Sequence, residues 1–284
     1  MTATIINGKA LAQNLLNQVA EQIKTKQLTP KLSIILVGND PASELYVAAK
    51  QQAGRQVGIE VDIKHLSSNT TETELLNLIQ QLNHDPQIDG ILLQLPLPQQ
   101  LDSLSAIKAI GPHKDVDGLH PNNLGLLAAQ DKPHFLACTP KGIMLILGDI
   151  ADSLQGKHAV IIGAYNIVGR PLALALLNQN ATVTICHRHT ENLQELSQQA
   201  DILISATGQS NLITADWVKS GAIVIDVGIN QTADGKICGD VDFNNVQNVA
   251  GWITPVPGGV GPMTVACLMK NTLLAAEQRG DKHE

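Results

Sequence analysis

Aromatic surface is scarce in this chain: Phe, Trp and Tyr make up 2% of its 284 residues, and the formal net charge is −7. Nucleic-acid binding calls for a basic field and stacking rings, so both shortages argue against it. Cysteine is equally sparse. Cys138, Cys186, Cys238 and Cys267 are scattered without a Cys-x-x-Cys pair, which argues against a zinc site, a redox dithiol or a disulfide framework. Reduced thiols in a cytoplasmic protein are the expectation, with no metal. No apolar run approaches the length that spans a bilayer, and residues 1–9 lack a basic segment leading into a long apolar stretch. Neither a membrane span nor an export signal is therefore expected. A Gly-x-x-x-x-Gly-Lys-Ser/Thr loop is also missing, as are internal repeats and low-complexity tracts.

Hydrophobic residues are plentiful at 44%, enough for one large core or two ordinary ones. Periodicity predicts a helix through Leu11, Leu15, Val19 and Ile23. Beyond it, strands at 32–37, 59–66 and 88–93 alternate with helices at 45–57 and 71–82. Alternation of this kind implies a parallel sheet covered by helices. Past residue 188 it resumes, with a helix at 191–199, a strand at 202–206, a short helix around Trp217 and strands at 222–227 and 252–254. The expected fold class is α/β in two domains, an N-terminal substrate domain with a parallel sheet and a C-terminal Rossmann-type domain. Residues 1–120, completed by a final helical segment at 263–284, form the first, and 140–262 the second. Gly111-Pro112, Pro121, Pro133 and Pro140 punctuate the seam.

Residues 158–188 carry the sharpest signal. His158-Ala-Val-Ile-Ile162 is a short buried strand, and Gly163 breaks it where a phosphate would approach the backbone. Ile167 to Leu177 opens a helix whose free N–H groups and dipole favour a pyrophosphate, with Pro171 tolerated in its first turn. Thr182-Val-Thr-Ile-Cys186 returns as a strand. It ends in His187-Arg188-His189, where an NAD-binding unit places an acid about 20 residues beyond the turn. A basic site there points to NADP. The spacing from Gly163 to Gly169 departs from Gly-x-Gly-x-x-Gly, so context rather than the pattern itself carries the reading.

Four further stretches could carry chemistry. Tyr46 and Lys50 lie four apart on a helical segment and share a face; Leu45, Ala48, Ala49 and Ala53 mark the adjacent face as buried, so Lys50 is expected to be partly desolvated and its pKa lowered. A solvated lysine beside a packed tyrosine is the competing reading. Gln94 in Gln94-Leu-Pro-Leu-Pro98 follows a buried strand, where open α/β sheets present residues to ligands, though a satisfied turn glutamine also fits. In Lys114-Asp-Val-Asp-Gly118 a carboxylate can accept paired N–H donors from a heterocycle; Asp117 is favoured over Asp115 because Gly118 follows it. In Pro255-Val-Pro-Gly-Gly-Val-Gly-Pro-Met-Thr264, prolines fix φ while glycines admit close backbone approach.

With Tyr46-Val-Ala-Ala-Lys50, Gln94-Leu-Pro-Leu-Pro98, Lys114-Asp-Val-Asp-Gly118, Cys138-Thr-Pro140, Gly163 to Pro171, Asp226-Val-Gly-Ile-Asn230 and Pro255 to Thr264 in this order, the chain resembles bifunctional methylenetetrahydrofolate dehydrogenase/methenyltetrahydrofolate cyclohydrolase over nearly its whole length. The resemblance implies an enzyme of one-carbon metabolism and purine biosynthesis. Such an enzyme is a cytoplasmic homodimer that binds folate in an interdomain cleft and NADP on the second domain. It makes Lys50 the catalytic lysine, Tyr46 its packing partner, Gln94 the group that tunes it and Asp117 the pterin anchor. Pro257, Gly258, Gly259 and Gly261 would wall the folate pocket. Thr139, Gly163, Ala164, Tyr165, Ile167, Val168, Arg188, Gly228 and Ile229 would line the cofactor. Two positions depart from the family pattern: Gly163-Ala164-Tyr165 replaces Gly-Arg-Ser, and His187-Arg188-His189-Thr190 replaces His-Ser-x-Thr. Arg188 is expected to restore the lost phosphate contact.

Three rivals remain. A shikimate-dehydrogenase-like enzyme would need a Ser-x-Ser near the N-terminus and an Asn-Val-Thr-x-Pro-x-Lys segment, and neither occurs. A short-chain dehydrogenase would place its Tyr-x-x-x-Lys pair after the glycine turn, whereas Tyr46 and Lys50 precede it. A catalytically silent NADP sensor would have no need of Lys50, Gln94 and Asp117 together.

Overall fold

The computed structural model describes residues 2–232 and 235–280. Along the chain, β1 (Thr4–Ile5) and α1 (Gly8–Lys26) lead into β2 (Lys31–Val37), α2 (Pro41–Val57), β3 (Glu60–Leu66), α3 (Glu72–His84) and β4 (Gly90–Leu93). Three helices follow without an intervening strand: α4 (Ser103–Ala109), α5 (Pro121–Ala128) and α6 (Cys138–Ile150). The second half runs β5 (His158–Ile162), α7 (Gly169–Leu177), β6 (Thr182–Cys186), α8 (Leu193–Ser197), β7 (Ile202–Ser205), a 3-10 turn at Ala215–Trp217 and β8 (Ile223–Asp226). A hairpin of β9 (Asn230–Gln231) and β10 (Ile237–Cys238), then α9 (Phe243–Val246), β11 (Trp252–Ile253) and α10 (Val260–Gly280), complete it.

The chain divides into two compact units. One comprises residues 13–138 and 265–284, and the other residues 1–12 and 139–264. Residues 281–284 of the final segment lie outside the described residues. The first twelve residues, read from sequence with the N-terminal domain, group with the later unit because β1 pairs in parallel with β11.

In the first-named unit the sheet has the order β3-β2-β4, all parallel. Ile35, Val37, Ile91 and Leu93 pack against Leu75, Ile79 and Leu82 of α3. Each such fully buried side chain contributes roughly 1.5–3 kcal/mol. Helix α3 starts at a capping box, with Thr71 Oγ1 accepting from Glu74 N and Glu74 Oε2 accepting from Thr71 N. The other unit holds a six-stranded sheet of order β1-β11-β8-β7-β5-β6, every pair parallel. Its core gathers Val160, Ile162, Leu203, Val224 and Ile253. The β5-α7-β6 crossover has the order of the predicted nucleotide unit and both strands have the residues expected of them, while α7 begins at Gly169 and leaves Ile167 and Val168 in the turn. Among the described residues no helix is long and apolar enough to cross a membrane.

Candidate active site

Helix α2 is started by Asp40, whose carboxylate accepts from Ser43 N at 2.8 Å, and stopped by Gly58 at φ +85°. Its buried face is Ser43, Val47, Ala53, Gly54 and Val57. Lys50 falls within this stripe, one turn after Val47 and one before Gly54, because residues three and four apart share a helix face. The buried face expected from sequence differs in detail. Leu45 is 74% exposed, and Ala48 and Ala49 are also exposed, since they lie round the helix from Val47. Only Ala53 of that set is buried. The stripe itself desolvates Lys50: burial pulls its pKa below the ordinary lysine value, while nearby Asp117 and Cys138 push it part of the way back.

Lys50 Nζ donates to Gln94 Oε1 at 2.8 Å. Gln94 sits one residue past β4 and extends its ladder, its N–H reaching Ile35 O at 2.9 Å. Its side chain is buried, and Nε2 donates to Leu95 O at 2.7 Å, which turns the amide oxygen toward the lysine. Asp117 follows Val116, near the bridge that Asp115 makes to Ile91. Burial raises the pKa of the Asp117 carboxyl; Lys50 and a hydrogen bond with Cys138 draw it down. Asp115 has a different task. It accepts from His120 N at 2.7 Å and Asn123 Nδ2 at 3.1 Å, shaping the loop behind Asp117, and burial pushes its carboxyl up to about 7. Lys50, Gln94 and Asp117, widely separated in sequence, thus form one cluster within this unit, with Tyr46 40% exposed one turn before the lysine. Cys138 was legible only as a scattered thiol, although Cys138-Thr-Pro140 is among the family motifs.

The cofactor candidates lie in the other unit. Gly163 follows β5, Arg188 follows β6, and Gly228 and Ile229 follow β8, so all four stand at the carboxyl edge of a parallel sheet. Gly163 has φ +125°, and a Cβ on it would lie 2.2 Å from Ala206 O. Gly169 is tighter still, with a Cβ position 1.7 Å from Gly163 O. Ala164, Tyr165, Ile167 and Val168 form the turn between these glycines, and Tyr165 is 68% exposed. Arg170 braces the turn through Nε to Ala164 O at 3.0 Å. Val168 gives α7 no side-chain cap; Arg170 N donates back to Tyr165 O at 3.2 Å and Pro171 has no N–H, which leaves the Gly169 amide in the first turn to meet an anion. Exposed Arg188 donates from Nε to His189 Nε2 at 3.0 Å. The Gly169 amide at the helix start plus an exposed guanidinium form a donor set that suits a pyrophosphate and a further phosphate. Thr139 is in the first turn of α6, its hydroxyl 3.0 Å from that of Thr264.

Pro257, Gly258, Gly259 and Gly261 belong to this same unit, the first three between β11 and α10 and Gly261 in the first turn of α10. The start of α1 rests on them: Lys9 N donates to Gly258 O at 3.1 Å, and a Cβ on Gly8 would meet Gly259 O at 1.9 Å. Among the described residues no group of three or more His, Cys, Asp or Glu could hold a metal.

Residues 6–117 match the tetrahydrofolate dehydrogenase/cyclohydrolase catalytic domain, and residues 137–280 the NAD(P)-binding domain of the same family. A bifunctional protein FolD of Vesicomyosocius okutanii is 53% identical over 275 residues, 97% of this chain and 99% of that one. The crystal structure of the FolD methylenetetrahydrofolate dehydrogenase/cyclohydrolase of Campylobacter jejuni is 48% identical, covers 98% of this chain and 99% of its own, and superposes with a TM-score of 0.95. A Trypanosoma brucei methylenetetrahydrofolate dehydrogenase-cyclohydrolase, complexed with NADP and an inhibitor, is 35% identical with a TM-score of 0.94 and 98% of each chain covered.

Proposed function

We infer that this chain, which belongs to the tetrahydrofolate dehydrogenase/cyclohydrolase family, oxidises 5,10-methylenetetrahydrofolate to the 5,10-methenyl form with NADP and then hydrolyses that product to 10-formyltetrahydrofolate. Membership through both halves sets aside the shikimate-dehydrogenase-like reading and the silent sensor. The observation that carries the chemistry is the 2.8 Å bond from Lys50 to Gln94 on a lysine whose charge burial disfavours.

NADP, when bound, accepts the hydride from the bridging carbon. The residues of this chain do the rest. An amine of lowered pKa takes a proton from the water that adds to the methenyl carbon. The resulting ammonium returns it to N5 of the pteridine as the bond from N5 to that carbon breaks, while the added hydroxyl becomes the formyl C=O and loses its remaining proton to solvent, the one proton released overall. Gln94 holds Nζ in place and, being neutral, leaves the lysine free to lose its proton. Asp117 accepts paired N–H donors from the pterin ring, a partner that favours its ionised form against the cost of burial. Tyr46 packs beside the reacting region. Gly163, Ala164, Tyr165, Ile167 and Val168 take the pyrophosphate, Gly228, Ile229 and Thr139 line the remainder, and Arg188 takes the 2′-phosphate.

We also place the protein in the cytoplasm as a homodimer. Cys138, Cys186 and Cys267 are buried as separate thiols, which suits a reducing compartment. Strand β6 is an open edge of its sheet with Ile185 40% exposed on it, and Leu177 at the end of α7 is 52% exposed, a surface suited to a second copy.

The test is to mix protein, methylenetetrahydrofolate and NADP, follow reduced nicotinamide, and then follow decay of the methenyl product. Lys50→Met is expected to slow hydrolysis by roughly 100-fold or more while folate still binds. A near-normal hydrolysis rate in that variant would remove Lys50 from the mechanism.

A further inference from the structure

Helix α10 carries a fully buried asparagine, Asn271, among the buried side chains of Leu268, Met269 and Leu273. A buried amide is costly unless it is hydrogen-bonded. Asn271 Nδ2 donates to Val116 O at 2.8 Å and to Leu136 O at 3.2 Å, and lies 3.5 Å from Cys138 Sγ. Both carbonyls belong to segments that meet at Asp117. Val116 is its neighbour in sequence, and Cys138 N donates to Asp117 O at 3.1 Å. Contact between the segments is close, since a Cβ on Gly118 would lie 2.6 Å from Ala137 N. One amide therefore clamps the two backbone stretches that carry the Asp117 carboxyl and the thiol bonded to it.

We propose that Asn271 is a positioning residue for Asp117, fixing the carboxyl that receives the pterin ring and so setting affinity for the folate substrate. This rests on the reading of Asp117 given above. Cys138 Sγ also donates to Val116 O, at 3.3 Å, but that bond holds one of the two carbonyls; the Asn271 amide, from a helix far away in sequence, spans both.

Asn271→Leu keeps the branched outline, at a larger volume, and removes the donors, and Asn271→Ser keeps a short donor that cannot span both carbonyls. Thr272→Val is the matched control, because Thr272 is equally buried and its hydroxyl donates only within α10, to Leu268 O at 2.9 Å. In both Asn271 variants KM for methylenetetrahydrofolate is expected to rise about tenfold, the loss of one or two hydrogen bonds. NADP affinity measured by calorimetry and kcat should stay within about twofold of the parent, as should all three quantities in Thr272→Val. Unchanged KM in the Asn271 variants would overturn the proposal. So would loss of cooperative unfolding in both of them with Thr272→Val intact, which would make the amide a support of the fold alone. Asp117→Ala is assayed alongside. If it leaves KM unchanged, the pterin role of Asp117 falls; if it raises KM while the Asn271 variants do not, only the clamp falls.

Discussion

Lys50 owes its chemistry to its address on a helix. A lysine on the Ser43-Val47-Gly54-Val57 stripe cannot keep a full hydration shell, so burial lowers its pKa before any partner acts. Gln94 then supplies a neutral acceptor. Replacing it by a carboxylate reverses the balance: in Gln94→Glu the new charge at hydrogen-bond distance from Nζ stabilises the ammonium and raises the lysine pKa. The acid limb of the hydrolysis profile should move to higher pH, with a lower rate at neutrality and partial recovery in alkaline buffer. A pH–rate profile of methenyl decay checks this, and an unmoved limb would show that another group limits the rate. On the cofactor side, Arg188→Asp removes the guanidinium and, on the role proposed for Arg188, sets a carboxylate against the 2′-phosphate. NADP affinity should fall roughly 10- to 100-fold, the scale of charge-assisted hydrogen bonds, while NAD affinity changes little. Calorimetric titration with both dinucleotides decides it. Equal losses would locate 2′-phosphate recognition elsewhere, with Arg170 on the turn as the next residue to test.

At the scale of elements, the β5-α7-β6 crossover works because two glycines let its turn close. Gly163→Ala combines φ +125°, which costs roughly 1–3 kcal/mol for a side-chain-bearing residue, with a collision at Ala206 O. Gly208→Ala separates the two effects, since Gly208 has φ +67° but open space around its Cβ position. Thermal melts should show the larger loss for Gly163→Ala, together with loss of NADP binding; comparable losses would mean that the turn tolerates the methyl. Such elements were legible in sequence because their residues obey a single local rule. His158–Ile162 and Thr182–Cys186 are short β-rich runs bounded by turn residues, and both strands form as read. Proline breaks a helix interior but is accepted in a first turn, so Pro121 and Pro140, which punctuate the seam in sequence, stand at the starts of α5 and α6, and the chain divides between residues 138 and 139, within the punctuated stretch. The exposure of Leu45, Ala48 and Ala49 was hidden, because several apolar residues around one helix do not reveal which stripe meets the sheet. Asn271 was invisible altogether. Its role depends on carbonyls more than a hundred residues away, and no local pattern encodes that.

Over the whole molecule, carboxyls raised by desolvation set how stability should depend on pH, Asp89 and Asp117 in the same sense as Asp115 and Asp226. Asp115 is pushed up to about 7 and Asp226 to about 6, both chiefly by burial, from an ordinary value of 3.8. Between that value and the raised ones the folded chain keeps protons that the unfolded chain releases. Raising pH therefore favours unfolding, and the stability present in acid is lost from about pH 4 up to about 6 and 7. Helix caps act in the opposite sense. Hydrogen bonds from Ser43, Thr71 and Ser105 hold Asp40, Glu74 and Asp102 below their ordinary values, so their contribution is present above those values and fades as pH falls through the lowered ones. Cap carboxylates of this kind are exposed and individually weak, whereas the desolvated carboxyls are not. The unliganded protein should accordingly be most stable on the acid side of neutrality. Denaturant unfolding across this range tests it most directly by difference: the deficit of Asp115→Asn relative to the parent should be largest near pH 4 and narrow as pH approaches 7, because only the parent has a proton to lose there. A deficit that stays constant or widens with pH would show that Asp115 is ionised in the fold, held by His120 N and Asn123 strongly enough to outweigh its burial.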